Sequence, residues 1–173
     1  MENMFQRCYP FNGDLSKWNV GKVTTMKNMF TDCTNFNSDI SKWQTNNLVK
    51  MGEMFNGARK FNADTSKWDV AKVTSVFKLF RNAIVFNRDL SKWNVANVGT
   101  FSYVFRSARH FNFKDEIDET WNVNSNFDVG VEKFTDTCSY RRPDCGVCGN
   151  PDQSNTPVVC SGMSAKSIST PCS

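Results

Sequence analysis

The chain has 173 residues and a net charge of +4, with 21 Lys and Arg interspersed among 17 Asp and Glu. That length suffices for one domain with its own core plus a tail, and charges so mixed argue against a nucleic-acid partner. No apolar run approaches the roughly 18 residues a membrane span needs, and the first residues lack the basic-then-apolar pattern of a secretory leader.

From its first residues the sequence repeats every 25 positions. Phe5, Phe30, Phe55, Phe80 and Phe105 form one column, and Phe11, Phe36, Phe61, Phe86 and Phe111 a second. Each member of the second is followed by asparagine (Asn12, Asn37, Asn62, Asn87, Asn112), and Trp18, Trp43, Trp68 and Trp93 fall in register behind them. In the fifth copy Phe111 and Trp121 stand ten positions apart where earlier copies have seven, a three-residue insertion between Phe113 and Thr120. Met1 to Phe5 matches Met26 to Phe30, so the chain is expected to begin inside a repeat, as an N-terminally truncated piece of a longer protein.

Within a repeat, Val23, Met26, Met29, Phe30 and Cys33 have the spacing of one face of an α-helix, with Thr24 and Thr74 placed as N-caps. A short strand is predicted over 14–20, where Trp18 and Val20 would share a face. Helix and strand in 25 residues predict an α/β repeat solenoid: leucine-rich-repeat-like, about five repeats, short parallel strands on the concave side and helices on the convex side. An all-strand β-helix is the competing architecture. A lone repeat buries too little to hold itself, so the Phe and Trp columns are predicted to be stacked core. The organisation expected is a repeat domain over 1–127 and a Cys-rich cap or tail over 128–173.

The frame Met-Phe-x-x-Cys/Ala-x-x-Phe-Asn-x-Asp-Leu-Ser-x-Trp-Asn-Val-x-x-Val-Thr-x-Met, carried well by four copies over roughly residues 1–123, resembles the BspA-like leucine-rich-repeat surface proteins. The resemblance implies an extracellular or cell-surface location and partner binding, several such proteins being adhesins, with no shared enzymatic activity and no fixed ligand.

Five columns matter for function. The asparagines are expected to turn inward and satisfy loop backbone groups. The aspartates (Asp14, Asp39, Asp64, Asp89) and lysines (Lys17, Lys42, Lys67, Lys92) would stand as rows of like charge, which persist most easily at a solvated surface. With Ser16, Ser41, Ser66 and Ser91 they could instead offer a regular row of cations and hydroxyls to an acidic glycan or a protein. Cys8 and Cys33 take a position that Ala58, Ala83 and Ala108 fill later, which predicts small, buried, free thiols.

After Val129 the composition turns to Cys, Pro, Ser and Gly, and Cys138, Cys145, Cys148, Cys160 and Cys172 read as candidates for disulfides in an oxidising compartment. A zinc site around Cys145 and Cys148 is the alternative; no metal or cofactor is otherwise expected. One histidine, His110, no nucleophile elbow and no phosphate loop argue against an enzyme, and no N-glycosylation sequon occurs. The expected role is an extracellular or cell-surface recognition module for a protein or glycan, binding through its exposed strand face. The alternative is a structural subunit or spacer of a surface layer, filament or larger assembly.

Overall fold

A computed structural model describes residues 1–113 together with Ile117, Thr120 and Trp121. The Cys-rich segment, with the pairing or zinc binding expected of its cysteines and the boundary expected at residue 127, lies outside the described residues. The sequence period becomes five coils stacked in register: residues 1–25, 26–50, 51–75, 76–100, and a fifth from 101.

The expected α/β architecture is overturned. Among the described residues only Ile117 and Thr120 are helical, and strand pairing is confined to isolated parallel bridges, Thr25 to Lys50, Lys50 to Ser75 and Ser75 to Thr100. Neither a convex row of helices nor a concave sheet of strands is present among them. The segment 26–33, read as a helix, is a run of overlapping turns. The N–H groups of Met29, Thr31 and Cys33 each bond a carbonyl three residues back, on Met26, Asn28 and Phe30. That of Met26 reaches Lys50 at the end of its own coil, and those of Asn28, Phe30 and Asp32 cross to Gly52, Met54 and Asn56 of the next coil.

The backbone achieves this alternation by entering the left-handed region twice per coil. Asn3 and Arg7, Asn28 and Asp32, Glu53 and Gly57, Lys78 and Asn82, and Tyr103 and Ser107 all have positive φ, between 51° and 74°. An α-helix tolerates no such residue. Turns of three residues still bring every third or fourth side chain to one side, so Met26, Met29, Phe30 and Cys33 all point inward; the apolar spacing was real, but a helix was not its cause. At Gly57 a Cβ would collide with the Asp32 carboxylate, which accounts for glycine there.

Stacking supplies the core. Phe30, Phe55 and Phe80 lie 5.8 and 5.6 Å apart in one column, and Phe36, Phe61 and Phe86 5.9 Å apart in the second. Within a coil the two rings meet closely, as Phe55 and Phe61 do at 3.8 Å and 9°. Burial comes from neighbouring coils: Met4 in the first coil is 48% exposed, whereas Met29 and Met54 at the same position are 0% exposed.

The tryptophans fasten the opposite side. The indole Nε1 of Trp43 donates to the Leu15 carbonyl at 3.0 Å, Trp68 to Ile40 at 3.1 Å and Trp93 to Thr65 at 2.9 Å, so a buried polar group is satisfied across each coil boundary. Trp121 repeats the contact on the Leu90 carbonyl at 3.1 Å. The insertion in the fifth coil is absorbed locally: Ile117 is buried, its N–H bonds the Phe113 carbonyl and its carbonyl accepts from Trp121 N–H, the four-residue spacing of a helical turn.

Among the described residues one buried side-chain group is unmatched. Thr65 stands where Leu15, Ile40 and Leu90 stand in other coils, and its Oγ1 is buried with no hydrogen-bond partner, whereas the hydroxyls of Thr31 and Thr45 donate to the Glu53 and Asp69 carbonyls. Two stability effects are expected in urea titrations. Phe55→Ala, which empties a site enclosed by rings above, below and within its coil, costs about 3–5 kcal/mol. Thr65→Val removes the orphaned hydroxyl at nearly constant volume and raises stability by about 1–2 kcal/mol; a lower midpoint would show that the hydroxyl is satisfied after all.

Candidate functional site

The segment predicted as a strand, 14–20, is a pair of turns. Asp14 Oδ1 accepts the N–H of Ser16 at 2.9 Å, and the Trp18 N–H closes a second turn on the Leu15 carbonyl. The same Asx turn recurs at Asp39 with Ser41, Asp64 with Ser66 and Asp89 with Ser91, at 2.8 to 2.9 Å. The serine hydroxyl bonds the same carboxylate. The expected strand face is therefore a turn face, on which both the Asp and the Ser columns are engaged with one another.

Hydrogen bonds from the serines hold all four carboxyls below their ordinary value, with the following lysines adding attraction. Lys17, Lys42, Lys67 and Lys92 are exposed at the tips of these turns. Asp14, Asp39 and Asp89 are exposed beside them, as a solvated row requires, but their carboxylates are tied into the turns, whereas the lysines are the cations of this face.

The asparagines do satisfy loop backbone, though across coils and from the surface. Asn12 Oδ1 accepts the N–H of Asn37 at 2.8 Å, Asn37 that of Asn62 at 2.8 Å, Asn62 that of Asn87 at 3.0 Å and Asn87 that of Asn112 at 3.1 Å. Asn12, Asn37 and Asn112 are exposed, contrary to the inward orientation expected.

Where this ladder meets the turn face in coils 3 to 5, an open depression of about 300 Å³ is lined by Asp64, Ser66, Asn87, Arg88, Asp89, Lys92 and Phe113. It gathers four of the twelve side chains predicted to bind and adds three that were not. The Arg88 Nε donates to the Asn62 carbonyl at 2.7 Å, which fixes its guanidinium beside Asp64. Arg88 and Phe113 occupy a repeat position that holds Gly13, Ser38 and Ala63 in earlier coils. Two anions, two cations, an amide and an aromatic ring suit a polar, hydroxyl-bearing ligand more than a hydrocarbon. Among the described residues no cluster of His, Cys, Asp and Glu is grouped to hold a metal ion.

Residues 1–121 match the family described as Mycoplasma protein of unknown function, DUF285. The chain belongs to this family. It is a repeat surface-protein family. No curated protein and no solved structure matches the chain. The matched span of the DUF285 chain ends on Trp121, the last tryptophan fastened across a coil boundary.

The thiols divide. Cys33 is buried, donates from Sγ to the Phe5 carbonyl at 2.8 Å and has its pKa pushed up to about 11 by burial. Cys8 is exposed, which corrects the expectation that both are buried; no coil covers it in the described structure. Both are free.

The Asp turns give this DUF285 chain a defined acid response. Each folded-state pKa is depressed, so the stabilisation is fully present above the unfolded carboxyl value of 3.8 and is lost as pH falls through the lower folded values. Replacing all four aspartates with asparagine, which keeps an oxygen acceptor for the turn, is expected to flatten the fall in urea midpoint between about pH 5 and pH 2.5. An unaltered acid limb would place the sensitivity elsewhere.

Proposed function

We propose that the chain is a recognition module of an extracellular or cell-surface protein, binding a protein or glycan through the turn face of its coils, and that it is not an enzyme. The observation that carries this reading is the depression in coils 3 to 5, where Asp64, Asp89, Arg88, Lys92 and Phe113 converge beside the exposed lysine row. Membership of a repeat surface-protein family supports the location. The resemblance of the repeat frame to BspA-like proteins supports adhesion as the finer role.

The chemistry of the face fits a carbohydrate or a polar protein loop. Carboxylates already locked by Asx turns are rigid acceptors, and the guanidinium of Arg88, fixed through Nε, is a rigid donor. Groups held in place before binding lose little freedom when a ligand arrives. A purely structural spacer needs the stacked frame but has no use for Arg88 and Phe113 in place of Gly, Ser or Ala.

Binding of the folded chain to host cells and to an array of glycans tests the reading. Changing Lys17, Lys42, Lys67 and Lys92 to Ser is expected to weaken binding about tenfold or more, with most of the loss in association rate and in salt sensitivity. Arg88→Ser with Phe113→Ala is expected to abolish selectivity among ligands while leaving the fold intact. Ordered self-association in sedimentation, with neither cells nor glycans bound, would replace this reading with the structural-subunit alternative.

A further inference from the structure

The outward side of the turn run, in residues 1–10 of each repeat, changes character along the stack. In coils 1 and 2 it balances Arg7 and Lys27 against Glu2 and Asp32. In coils 3 to 5 the same segment carries Arg59, Lys60, Lys78, Arg81, Arg106 and Arg109 against a single carboxylate, Glu53. The uneven placement is invisible in a net charge of +4. All six cationic side chains are exposed or half-exposed, while the alternating residues of this segment, among them Met54, Phe55, Leu79 and Phe80, fill the core.

The backbone ladder fixes the rows. Asn82 N–H bonds the Arg106 carbonyl at 2.8 Å and Gly57 N–H bonds that of Arg81 at 2.7 Å, so Arg81 and Arg106 occupy equivalent places in adjoining coils. Val85 N–H bonds the Arg59 carbonyl and His110 N–H that of Ile84, which sets Arg59 and Arg109 in one row with Ile84 between them. Two aromatic rings steady the cations. Lys78 Nζ lies 4.6 Å from the centre of the Phe77 ring, the Arg106 guanidinium 5.2 Å from that of Tyr103, and the two rings meet edge to face at 6.4 Å. Neither ring has a counterpart in coils 1 to 3, where Glu2, Lys27 and Gly52, and Asn3, Asn28 and Glu53, stand at those positions.

We propose that this basic arc binds a sulfated polysaccharide laid along the stack across coils 3 to 5. It uses a different segment of each coil from the lysine row and does not depend on that row binding anything. A linear polyanion fits because the cations follow one another from coil to coil instead of converging on one point. Arginines, four of the six, present a planar fork that matches sulfate oxygens two at a time. Rings that hold Lys78 and Arg106 in place reduce the side-chain freedom lost on binding. A single-stranded nucleic acid needs open aromatic faces on which to stack bases, and here Phe77 and Tyr103 each hold one of the chain's own cations over the ring and meet each other edge to face. Seating on a lipid surface draws on buried apolar area as well as charge, and among the described residues the exposed large hydrophobics, Met4 and Tyr9, lie in coil 1.

Titration of the full chain with heparin, N- and O-desulfated heparin, single-stranded DNA of similar length and phosphatidylserine vesicles tests the proposal. Heparin is expected to bind at physiological salt, with affinity falling steeply as salt rises, and desulfated heparin to bind at least about tenfold more weakly. The triple variant Lys78→Gln, Arg81→Gln, Arg106→Gln should lose at least about tenfold in heparin affinity. A second variant, Arg59→Gln, Lys60→Gln, Arg109→Gln, alters only exposed side chains, so its weaker binding cannot come from misfolding. The lysine-row variant should bind heparin as the unaltered chain does. No binding by the unaltered chain, a loss confined to the lysine-row variant, or DNA or vesicles bound as tightly as heparin would each overturn it.

Discussion

In the turn runs of coils 1 to 4, successive N–H groups point alternately along their own chain and across to the next coil, and the other features of the structure depend on that alternation. It needs a left-handed residue at two places per coil, and five of the ten are Asn, Asp or Gly, the types that enter this region most readily. Glu53, Lys78 and Tyr103 also adopt it, at about 1 kcal/mol or more each. The surrounding ladder holds them there. Each crossing bond sets a coil at a fixed height against the next, and the rings inherit that spacing: neighbours in the two Phe columns lie 5.5 to 6.0 Å apart with nearly parallel planes.

Three further ladders use the same height. The asparagine amides hand one acceptor to each following coil, the indoles hand one donor back, and the threonine-and-lysine bridges close a third side. Each is a polar contact between neighbouring coils that joins the same two repeat positions every time, so a single successful coil can be copied without redesign. The same logic explains the fifth coil. An insertion is harmless if it leaves the height unchanged, and Ile117 and Trp121 re-enter their columns after one helical turn.

The repeat length, the five copies, the insertion and the inward Phe, Met and Trp columns were legible in the sequence because burial is written in side-chain type. The backbone path was not. Turns of three residues and α-helical turns of 3.6 place apolar groups at the same offsets over ten residues, so Val23, Met26, Met29, Phe30 and Cys33 satisfy both. The discriminating signal lay between them, in Asn28, Asp32, Gly57 and Asn82, residues that a helix interior disfavours and a left-handed turn accepts. The aspartates were legible as a column at a solvated surface, but their structural role went unread, although Asp-x-Ser is itself the grammar of an Asx turn.

That structural role shows where specificity can reside in such a frame. Positions that recur without change, Asp14 to Asp89 or Asn12 to Asn112, recur because each coil needs them to hold its own shape, and part of their hydrogen-bonding capacity is used in doing so. Positions where the copies differ carry no such duty. Gly13, Ser38 and Ala63 give way to Arg88 and Phe113; Glu2, Lys27 and Gly52 give way to Phe77. Both substitutions fall in the later coils and on outward surfaces, and in each an arginine or a lysine is fixed in place, by a carbonyl for Arg88 and by aromatic rings for Lys78 and Arg106. A repeat protein that must be chemically uniform inside can be chemically particular only where uniformity is not required, and coils 3 to 5 are where this chain departs from its own pattern.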